Sequence, residues 1–371
     1  AAAQSPGPLG VVNNALFRNH YLPEELRTSP GTRQPDVALG IDDPLAVDLF
    51  WIVSRVNNCH YCLGHQEVKL AAKGVTEGQL LALDTDWSGM PEGRRAAYEF
   101  ARKLTTSPQA ITDADIDTLR PHYEPLSILG LVFLVSRYNS TNRWTDSLGL
   151  PQEGHREFTS DLTPEELARP SRVAATGFQP RPVGRDVAAW RAELERARDR
   201  EARLPLADPA AVAAILSAAG EQPPCREYER LLAQFPVAGV PWIRQARAAE
   251  QVGELPQELR EKIAMVAALA DGSLSMQHRR RRQLLARGLD DRGILALGEP
   301  ESGTSAEATA LRFARRLTVD PRATTDADIA ALLSHFSARQ VAEIVHHVAL
   351  AAFLDRLTEA AGLGWSAEDP G

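Results

Sequence analysis

The stretch Asn57–His65, with the sequence Asn-Asn-Cys-His-Tyr-Cys-Leu-Gly-His, is the most informative part of this 371-residue chain. Cys59 and Cys62 lie three residues apart, a spacing that brings two thiols together on one helical turn. Such a pair can form and break a disulfide with little backbone movement. His65 follows three residues after Cys62 and lies on the adjoining face of the same helix, where it can accept or return a thiol proton.

The composition is that of a globular protein, with 44% hydrophobic and 24% charged residues, and the length suits two domains. A net charge of −8 argues against a nucleic-acid partner. No apolar run approaches the ~20 residues that cross a bilayer, so we expect no membrane partner. The chain begins without methionine. We expect a cytoplasmic protein, or an exported one if the missing methionine reflects removal of a signal peptide.

Apolar residues recur every three or four positions through most of the chain, and alternating, strand-like runs are scarce. Thr76 is predicted to cap one helix, and Ile128–Tyr138 forms the apolar centre of another that stops at the Gly-Leu-Pro of residues 149–151. The predicted fold class is all-α. One buried helical face leads up to the cysteines and comprises Leu45, Leu49, Ile52, Val53 and Val56.

Several segments recur at an offset of 213 residues, which indicates a tandem duplication. Phe100–Thr105 reads Phe-Ala-Arg-Lys-Leu-Thr and Phe313–Thr318 reads Phe-Ala-Arg-Arg-Leu-Thr. Thr112–Ile116 and Thr325–Ile329 are both Thr-Asp-Ala-Asp-Ile, and each threonine is predicted to be a helix cap. We therefore expect one helical domain over residues 1–150 and a second over residues 206–371.

Residues 151–205 are rich in proline, arginine and glutamate and are interpreted as a partly helical linker between the two domains. Pro164–Leu167 is predicted to be a short helix. Trp190–Arg203 is predicted to be a charged, exposed helix with ion pairs at helical spacings.

The chemistry of the cysteine pair follows from its expected place at a helix start. Asn57 and Asn58 are good capping residues, so Cys59 is predicted to open a helix, where backbone N–H groups and the helix dipole lower a thiol pKa. His60 and His65 add proton acceptors nearby. The chain has three cysteines in all, too few for a disulfide framework, and Cys225 is interpreted as an ordinary buried thiol.

The motif Asn-Asn-Cys-His-Tyr-Cys-Leu-Gly-His, followed by Ala-Ala-Lys-Gly at residues 71–74, resembles the carboxymuconolactone decarboxylase / AhpD-like family, in its peroxidase-related CxxC branch. The resemblance covers about residues 40–150 and, in weakened form, about residues 250–365. It implies two tandem helical-bundle domains of this family, an oligomeric protein, and alkylhydroperoxidase-like activity through a redox-active disulfide. We expect a homo-oligomer.

The family's proton relay of glutamate, histidine and the CxxC pair can be carried over only in part. The resemblance implies that Cys59 and Cys62 are the thiols and that His65 is the histidine. The relay glutamate would fall at Val47, and the adjacent Asp48 is a shifted candidate to replace it. An alternative interpretation of Asp48 is a structural ion pair with Arg55 on the same helical face.

In the second repeat, the positions of the two cysteines are occupied by Ser273 and Met276 at an offset of 214 residues. Neither side chain supports reversible dithiol chemistry, so the second domain is predicted to be redox-inactive and to brace the first. Glu261 falls where the relay acid belongs, at an offset of 214 from Val47. The arginines of residues 279–282 are interpreted as a solvated helix face in preference to a polyanion-binding site.

Two alternatives for the cysteine pair remain at this point: a zinc site, which would need further ligands such as His60, Asp48 or Cys225, and an inert buried pair. No glycine-rich phosphate loop appears, and we expect no cofactor and no metal. Lactone decarboxylation and a non-catalytic oligomeric scaffold are the alternative functions.

The predicted function is a thiol-dependent peroxidase or disulfide reductase with antioxidant chemistry, an oxidoreductase that acts on organic hydroperoxides or disulfides. Cys62 is predicted to attack the oxidant and Cys59 to resolve the product as a Cys59–Cys62 disulfide. His65 would accept the proton, with His60 and Asp48 in support. An external dithiol donor would then reduce the disulfide.

Overall fold

The computed structural model describes residues 14–27, 36–152, 162–181, 184, 186–221, 225–299 and 304–365. The regular secondary structure of these residues is helical and includes no β-strand, which confirms the predicted all-α fold class. The first 152 residues contribute α1 (Asn14–Tyr21), α2 (Glu24–Arg27), α3 (Asp43–Asn57), α4 (His60–Ala72), α5 (Glu77–Thr85), α6 (Glu92–Thr106), α7 (Asp113–Asp117) and α8 (Pro125–Ser147).

The rest of the described chain contributes eleven further helices. The connecting region holds α9 (Pro164–Leu167), α10 (Val187–Arg198), α11 (Pro209–Ala218) and α12 (Glu227–Leu232). The final group is α13 (Gly239–Gln251), α14 (Gln257–Asp271), α15 (Leu274–Ala286), α16 (Asp291–Ala296), α17 (Ala306–Val319), α18 (Asp326–Leu333) and α19 (Ala338–Ala360).

The helices near the cysteine motif begin and end for local reasons. Asp42 caps α3 by accepting the Leu45 N–H at 2.6 Å, and a proline sits in its first turn. The apolar face predicted for this helix is buried. Thr76 caps α5 with a reciprocal capping box, as do Thr112 for α7 and Thr325 for α18, which confirms the three predicted caps.

Helix bounds recur along the chain with almost the same spacing as the sequence repeats. Helices α3 and α4 are matched by α14 and α15, whose first and last residues lie 214 positions later. Helix α8 spans 23 residues and is matched 213 positions later by α19, which also spans 23. The short 3₁₀ turn Pro108–Ala110 is matched by Pro321–Ala323. The chain therefore contains two groups of helices in the same order. The first helix group runs from α3 to α8 and the second from α14 to α19.

Helices α8 and α19 pack against each other at the centre of the molecule. Phe133 of α8 and Phe353 of α19 meet edge to face with ring centroids 5.7 Å apart, and neither side chain is accessible to solvent. The buried apolar residues of both helix groups form one continuous cluster. This contact joins the group that carries the cysteines to the group that lacks them.

Two arginines cross this contact in a reciprocal way. Arg143 of α8 donates to the carbonyl oxygen of Thr318 at 3.1 Å, and Arg356 of α19 donates to the carbonyl oxygen of Thr105 at 2.9 Å. Both the donors and the acceptors are related by 213 positions, so each group supplies the same bond to the other. Such self-complementary pairing is typical of two-fold interfaces between identical subunits.

The connecting region differs from its prediction at one helix. The helix predicted over Trp190–Arg203 spans Val187–Arg198 and is not exposed on all sides, because Trp190, Leu194 and Ala197 are buried. The indole N–H of Trp190 donates to Gln277 of α15 at 2.8 Å. Helix α10 therefore packs on α15, and only its charged face meets solvent.

The arginine run at residues 279–282 is not the solvated face that its charge suggested. Arg279 and Arg280 are buried and both pair with Glu250 of α13 at 3.1 Å, and Arg226 joins the same carboxylate at 2.6 Å. Burial by itself would raise the pKa of Glu250, but the three guanidiniums outweigh it and lower the pKa to about 2. Charge in this run is neutralised inside the protein.

We predict that Arg356→Ala destabilises the protein more than Arg143→Ala does. Arg356 pairs with Asp271 at 2.8 Å, and removing it leaves a buried carboxylate unpaired, at a cost of about 4 kcal/mol. Arg143 bonds only to neutral acceptors, so its loss is expected to cost about 2 kcal/mol. Equilibrium unfolding in urea measures both. The exposed Arg292→Ala serves as control, and an equal or reversed order would contradict the assignment.

We predict that Glu250→Gln loses stability at neutral pH and that the loss shrinks in acid. The depressed pKa of Glu250 contributes stability above about pH 4.5, the unfolded value, and this contribution declines as the pH falls toward 2. Unfolding free energies at pH 7 and pH 3.5 test the prediction against the exposed variant Glu92→Gln. A difference between Glu250→Gln and wild type that is independent of pH would refute it.

Candidate functional site

Helix α4, which carries Cys62, begins at His60, one residue later than the sequence suggested. Asn57 ends α3 and Asn58 adopts a left-handed conformation with φ of 56°, so neither asparagine caps α4. Asparagine tolerates this region better than most residues, and Gly272 occupies it at the matching position of the second helix group. Cys59 is itself the N-cap residue of α4.

Capping places the two sulfurs together. The Sγ atom of Cys59 accepts the backbone N–H of Cys62 at 3.3 Å, and the two cysteines form a close pair at 2.7 Å. Both are free thiols, and their exposed fractions are 0% and 1%. The spacing expected of a dithiol that can close to a disulfide is therefore present, but in a buried position.

One hydroxyl group, from Thr145 of α8, contacts both sulfurs. Its Oγ1 atom lies 3.2 Å from Sγ of Cys59 and 3.1 Å from Sγ of Cys62. The carbonyl oxygen of Thr141, one turn earlier, lies 3.0 Å from the same Oγ1 atom and is the alternative acceptor for its single proton. A hydroxyl can accept a hydrogen bond from a thiol or donate one to a thiolate, so Thr145 can serve either sulfur in either protonation state.

Sequence reasoning missed Thr145, although a signal was available. The residue 213 positions later is Thr358, so both repeats carry threonine here. In the second helix group, Thr358 Oγ1 lies 3.0 Å from Oγ of Ser273, the residue at the position of Cys59. The same contact is thus made with oxygen in place of sulfur, and Met276 stands where Cys62 would be.

Burial reverses the pKa shift expected for Cys59. Desolvation of the thiolate, with the neighbouring Cys62 and the Asp146 carboxylate, raises the pKa of Cys59 well above its usual value. The hydrogen bond from Thr145 acts in the opposite direction and is outweighed. The prediction of a lowered pKa is therefore wrong for Cys59, which the protein holds as a thiol.

A buried network of asparagine side chains connects the cysteine turn to α8. Asn57 donates to Oδ1 of Asn142 at 2.9 Å and to Oδ1 of Asn139 at 3.1 Å. Asn142 in turn donates to Oγ of Ser54 at 3.1 Å, and the carbonyl oxygen of Ser54 accepts the N–H of Cys59. These bonds tie the end of α3 to α8, which fixes the turn relative to Thr145.

The two histidines of the motif occupy different environments. His60 is exposed, its carbonyl oxygen accepts the side-chain amide of Gln152 at 2.6 Å, and its N–H donates to the Asp146 carboxylate. His65 is half-buried and packs against Tyr61 with ring centroids 4.5 Å apart. Both histidines lie on α4 within two turns of the sulfurs, as the spacing predicted.

Asp48 is not brought to the sulfurs. Its Oδ2 atom accepts hydrogen bonds from Arg94 and from the hydroxyl of Tyr98, both at 2.7 Å. Burial is the main reason that the pKa of Asp48 is raised. Along α3 it lies about 14 Å from Asn57, beyond direct contact with the cysteines. The proposed pairing with Arg55 is wrong, because Arg55 pairs with Asp84 at 3.1 Å.

Metal binding was one alternative function for the cysteine pair, with Cys225 as a possible further ligand. No group of three or more histidine, cysteine, aspartate or glutamate side chains in the described ranges is arranged to hold a metal ion. Cys225 is half-buried, apart from the motif in sequence, and burial raises its pKa to about 12. Among the described helices, none is both long and apolar enough to cross a membrane.

Comparison with known proteins adds one distant similarity. No protein-family profile matches the chain. A 105-residue part, 28% of the chain, is 25% identical to a protein of Escherichia coli (strain K12) described as uncharacterized protein YnjA. The matched part spans 57% of the length of that protein. At this identity and coverage, the similarity does not identify a family.

We predict that Thr145→Val raises the pKa of the dithiol. Valine keeps the shape of threonine but removes the hydroxyl whose hydrogen bond lowers the pKa of Cys59. Thiolate absorbance measured against pH, in a Cys225→Ser background, gives the shift. Thr358→Val, the equivalent change beside Ser273, is the matched control and should leave the titration unchanged. An unchanged or lowered pKa in Thr145→Val would rule out this role of the hydroxyl.

Proposed function

We propose that this protein is a thiol-dependent peroxidase or disulfide reductase of the AhpD-like type, with Cys59 and Cys62 as its redox-active pair. The observation that carries the proposal is the shared contact of both free thiols with Thr145 at the start of α4. This hydroxyl can stabilise the thiolate that dithiol chemistry requires. The sequence motif that resembles this family occurs at the same place.

The proposed reaction begins with Cys62. Its thiolate attacks the O–O bond of a hydroperoxide, the alcohol leaves, and Cys62 becomes a sulfenic acid. The thiol of Cys59 then attacks that sulfur, water leaves, and the Cys59–Cys62 disulfide forms. An external dithiol gives two electrons and two protons to restore both thiols. With a disulfide oxidant, the first leaving group is a thiolate.

The assignment of the two cysteines follows from their environments. Cys59 is held as a thiol by burial, which suits the residue that reacts second. Cys62 lies one turn from His65, which would accept its proton, and Thr145 can donate to the resulting thiolate. His60 remains a supporting candidate at the exposed edge of the turn. Asp48 would act only through intermediate groups.

Lactone decarboxylation is a weaker candidate, because it gives the paired thiols and their common hydroxyl contact no part in the reaction. A non-catalytic scaffold is favoured by one observation, the nearly complete burial of both sulfurs. The side chain of Gln152 lies over Gly64 in the first turns of α4. A reactant can reach the pair only if the side chains that bury the two sulfurs move. The following experiment separates a catalyst from a scaffold.

We predict that the protein oxidises dithiothreitol when cumene hydroperoxide or 2-hydroxyethyl disulfide is supplied. Cys62→Ser should reduce the rate at least 100-fold. In Cys59→Ser treated with cumene hydroperoxide and no dithiothreitol, the Cys62 sulfenic acid should persist, because it has no resolving thiol. Intact mass should fall by about 2 Da on oxidation of wild type, as expected for one disulfide. Cys225→Ser is the matched control and should retain both properties. Rates indifferent to Cys59 and Cys62 would eliminate the dithiol mechanism.

A further inference from the structure

A small cavity lies between α1, α8 and the second helix group, and it is separate from the sulfurs. Arg18 of α1, Arg137, Ser140 and Thr141 of α8, and His346 of α19 line it. Its volume is about 10 Å³, room for one water-sized group.

Two cations face this cavity without an anion. Nε of Arg18 donates to Asn14 at 3.2 Å, and its guanidinium lies 4.2 Å from the ring centroid of Trp144. Arg137 has no side-chain hydrogen bond within the described part of the chain. Neither arginine forms an ion pair there, although Arg18 is only 8% exposed and burial lowers its pKa to about 9. A buried guanidinium without a carboxylate is costly unless something else compensates its charge.

His346 gives the cavity an orphan polar atom. The side chain is 3% exposed, and its Nε2 atom is buried without a hydrogen-bond partner. Burial, with repulsion from His347 and Arg18, lowers the pKa of His346 well below its usual value, so the ring is neutral. A neutral imidazole with its proton on Nε2 can donate one hydrogen bond into the cavity. Buried polar atoms in native proteins usually have a partner, so this atom indicates a missing ligand.

The cavity lies close to the dithiol. Thr141 lines it, and Thr141 is one helical turn, about 5.4 Å, from Thr145, which contacts both sulfurs. Tyr61, next to Cys62, is near enough to Arg18 to stabilise the charge of its guanidinium. A ligand held by the arginines would therefore lie beside the part of α8 that carries Thr141, one turn from the residue that contacts both sulfurs.

We propose that Arg18, Arg137 and His346 form a carboxylate-binding site that holds acid-bearing substrates of the dithiol. A planar carboxylate matches the paired N–H groups of guanidinium, and one of its oxygens is small enough for the cavity that His346 lines. The substrate class is a short-chain hydroperoxide or disulfide with a carboxylate a few bonds from the reactive atoms. The substrate role depends on the proposed function, whereas the binding site does not.

For a disulfide substrate the proposed step balances without further reagents. The Cys62 thiolate attacks one sulfur of 3,3′-dithiodipropionate, and one 3-mercaptopropionate leaves as a thiolate. The thiol of Cys59 then attacks Cys62, so the second 3-mercaptopropionate leaves, and the proton of Cys59 goes to a leaving thiolate. The substrate is reduced by two electrons and the protein gains its Cys59–Cys62 disulfide.

Binding is tested first, in a variant that cannot react. In the Cys59→Ser/Cys62→Ser protein, calorimetric titration should show 3,3′-dithiodipropionate binding at least tenfold more tightly than the neutral 2-hydroxyethyl disulfide. Arg18→Gln and Arg137→Gln should each abolish that preference, and the exposed control Arg292→Gln should keep it. Equal binding of the two disulfides, or competition by inorganic phosphate as strong as by propionate, would overturn the carboxylate site.

Two further measurements distinguish the site from a structural role. In the protein with both cysteines, Arg137→Gln should lower the ratio of kcat/KM for the acidic over the neutral disulfide at least tenfold, mainly through KM, and Arg137→Lys should restore part of it. Without ligand, Arg137→Met should unfold at the same or a higher temperature than wild type, because it removes an unpaired, half-buried charge that is partly desolvated. A clear loss of stability would show that Arg137 is structural. Binding without turnover would refute the proposed function and leave the site standing.

Discussion

Helix α8 is buried along most of its 23 residues, so almost every polar side chain on it must find a partner inside the protein. Thr145 contacts the two sulfurs, and Asn142 and Asn139 accept hydrogen bonds from the end of α3. Arg143 donates to a carbonyl group of the second helix group. These partners lie on three different parts of the molecule. Meeting the hydrogen-bond requirement of one helix therefore sets the positions of the cysteine turn and of the central interface together.

Burial shapes the chemistry of the dithiol more than the helix start does. A helix N-terminus favours thiolate, but taking the charge out of water disfavours it, and for Cys59 the second effect is larger. The resulting asymmetry suits a resolving thiol that waits for its partner to be oxidised. It also makes the Thr145 hydroxyl important, since few other groups are close enough to stabilise charge on sulfur.

The second helix group has the same helices as the first, but both thiols are replaced, by Ser273 and Met276. Ser273 and Thr358 repeat the contact of Cys59 with Thr145, and Arg356 repeats the crossing of Arg143. In two of the supporting positions, Asp271 and Asp355 stand where the first group has Asn57 and Asn142. Asp271 is neutralised by Arg356, so this side of the interface depends on an ion pair where the other side uses amides.

The sequence by itself determined the all-α class, the caps at Thr76, Thr112 and Thr325 and the spacing of the two thiols, because periodicity, capping and residue spacing act over a few neighbouring residues. Only the tertiary structure decided which distant groups surround the thiols. Thr145, which contacts Cys62, is 83 residues away from it in sequence, and Asp48 pairs with Arg94 and not with the thiols. The arginines of the cavity lie beside His346, which comes from the far end of the chain. The pKa of Cys59 likewise depended on burial, a property of packing that local spacing cannot reveal.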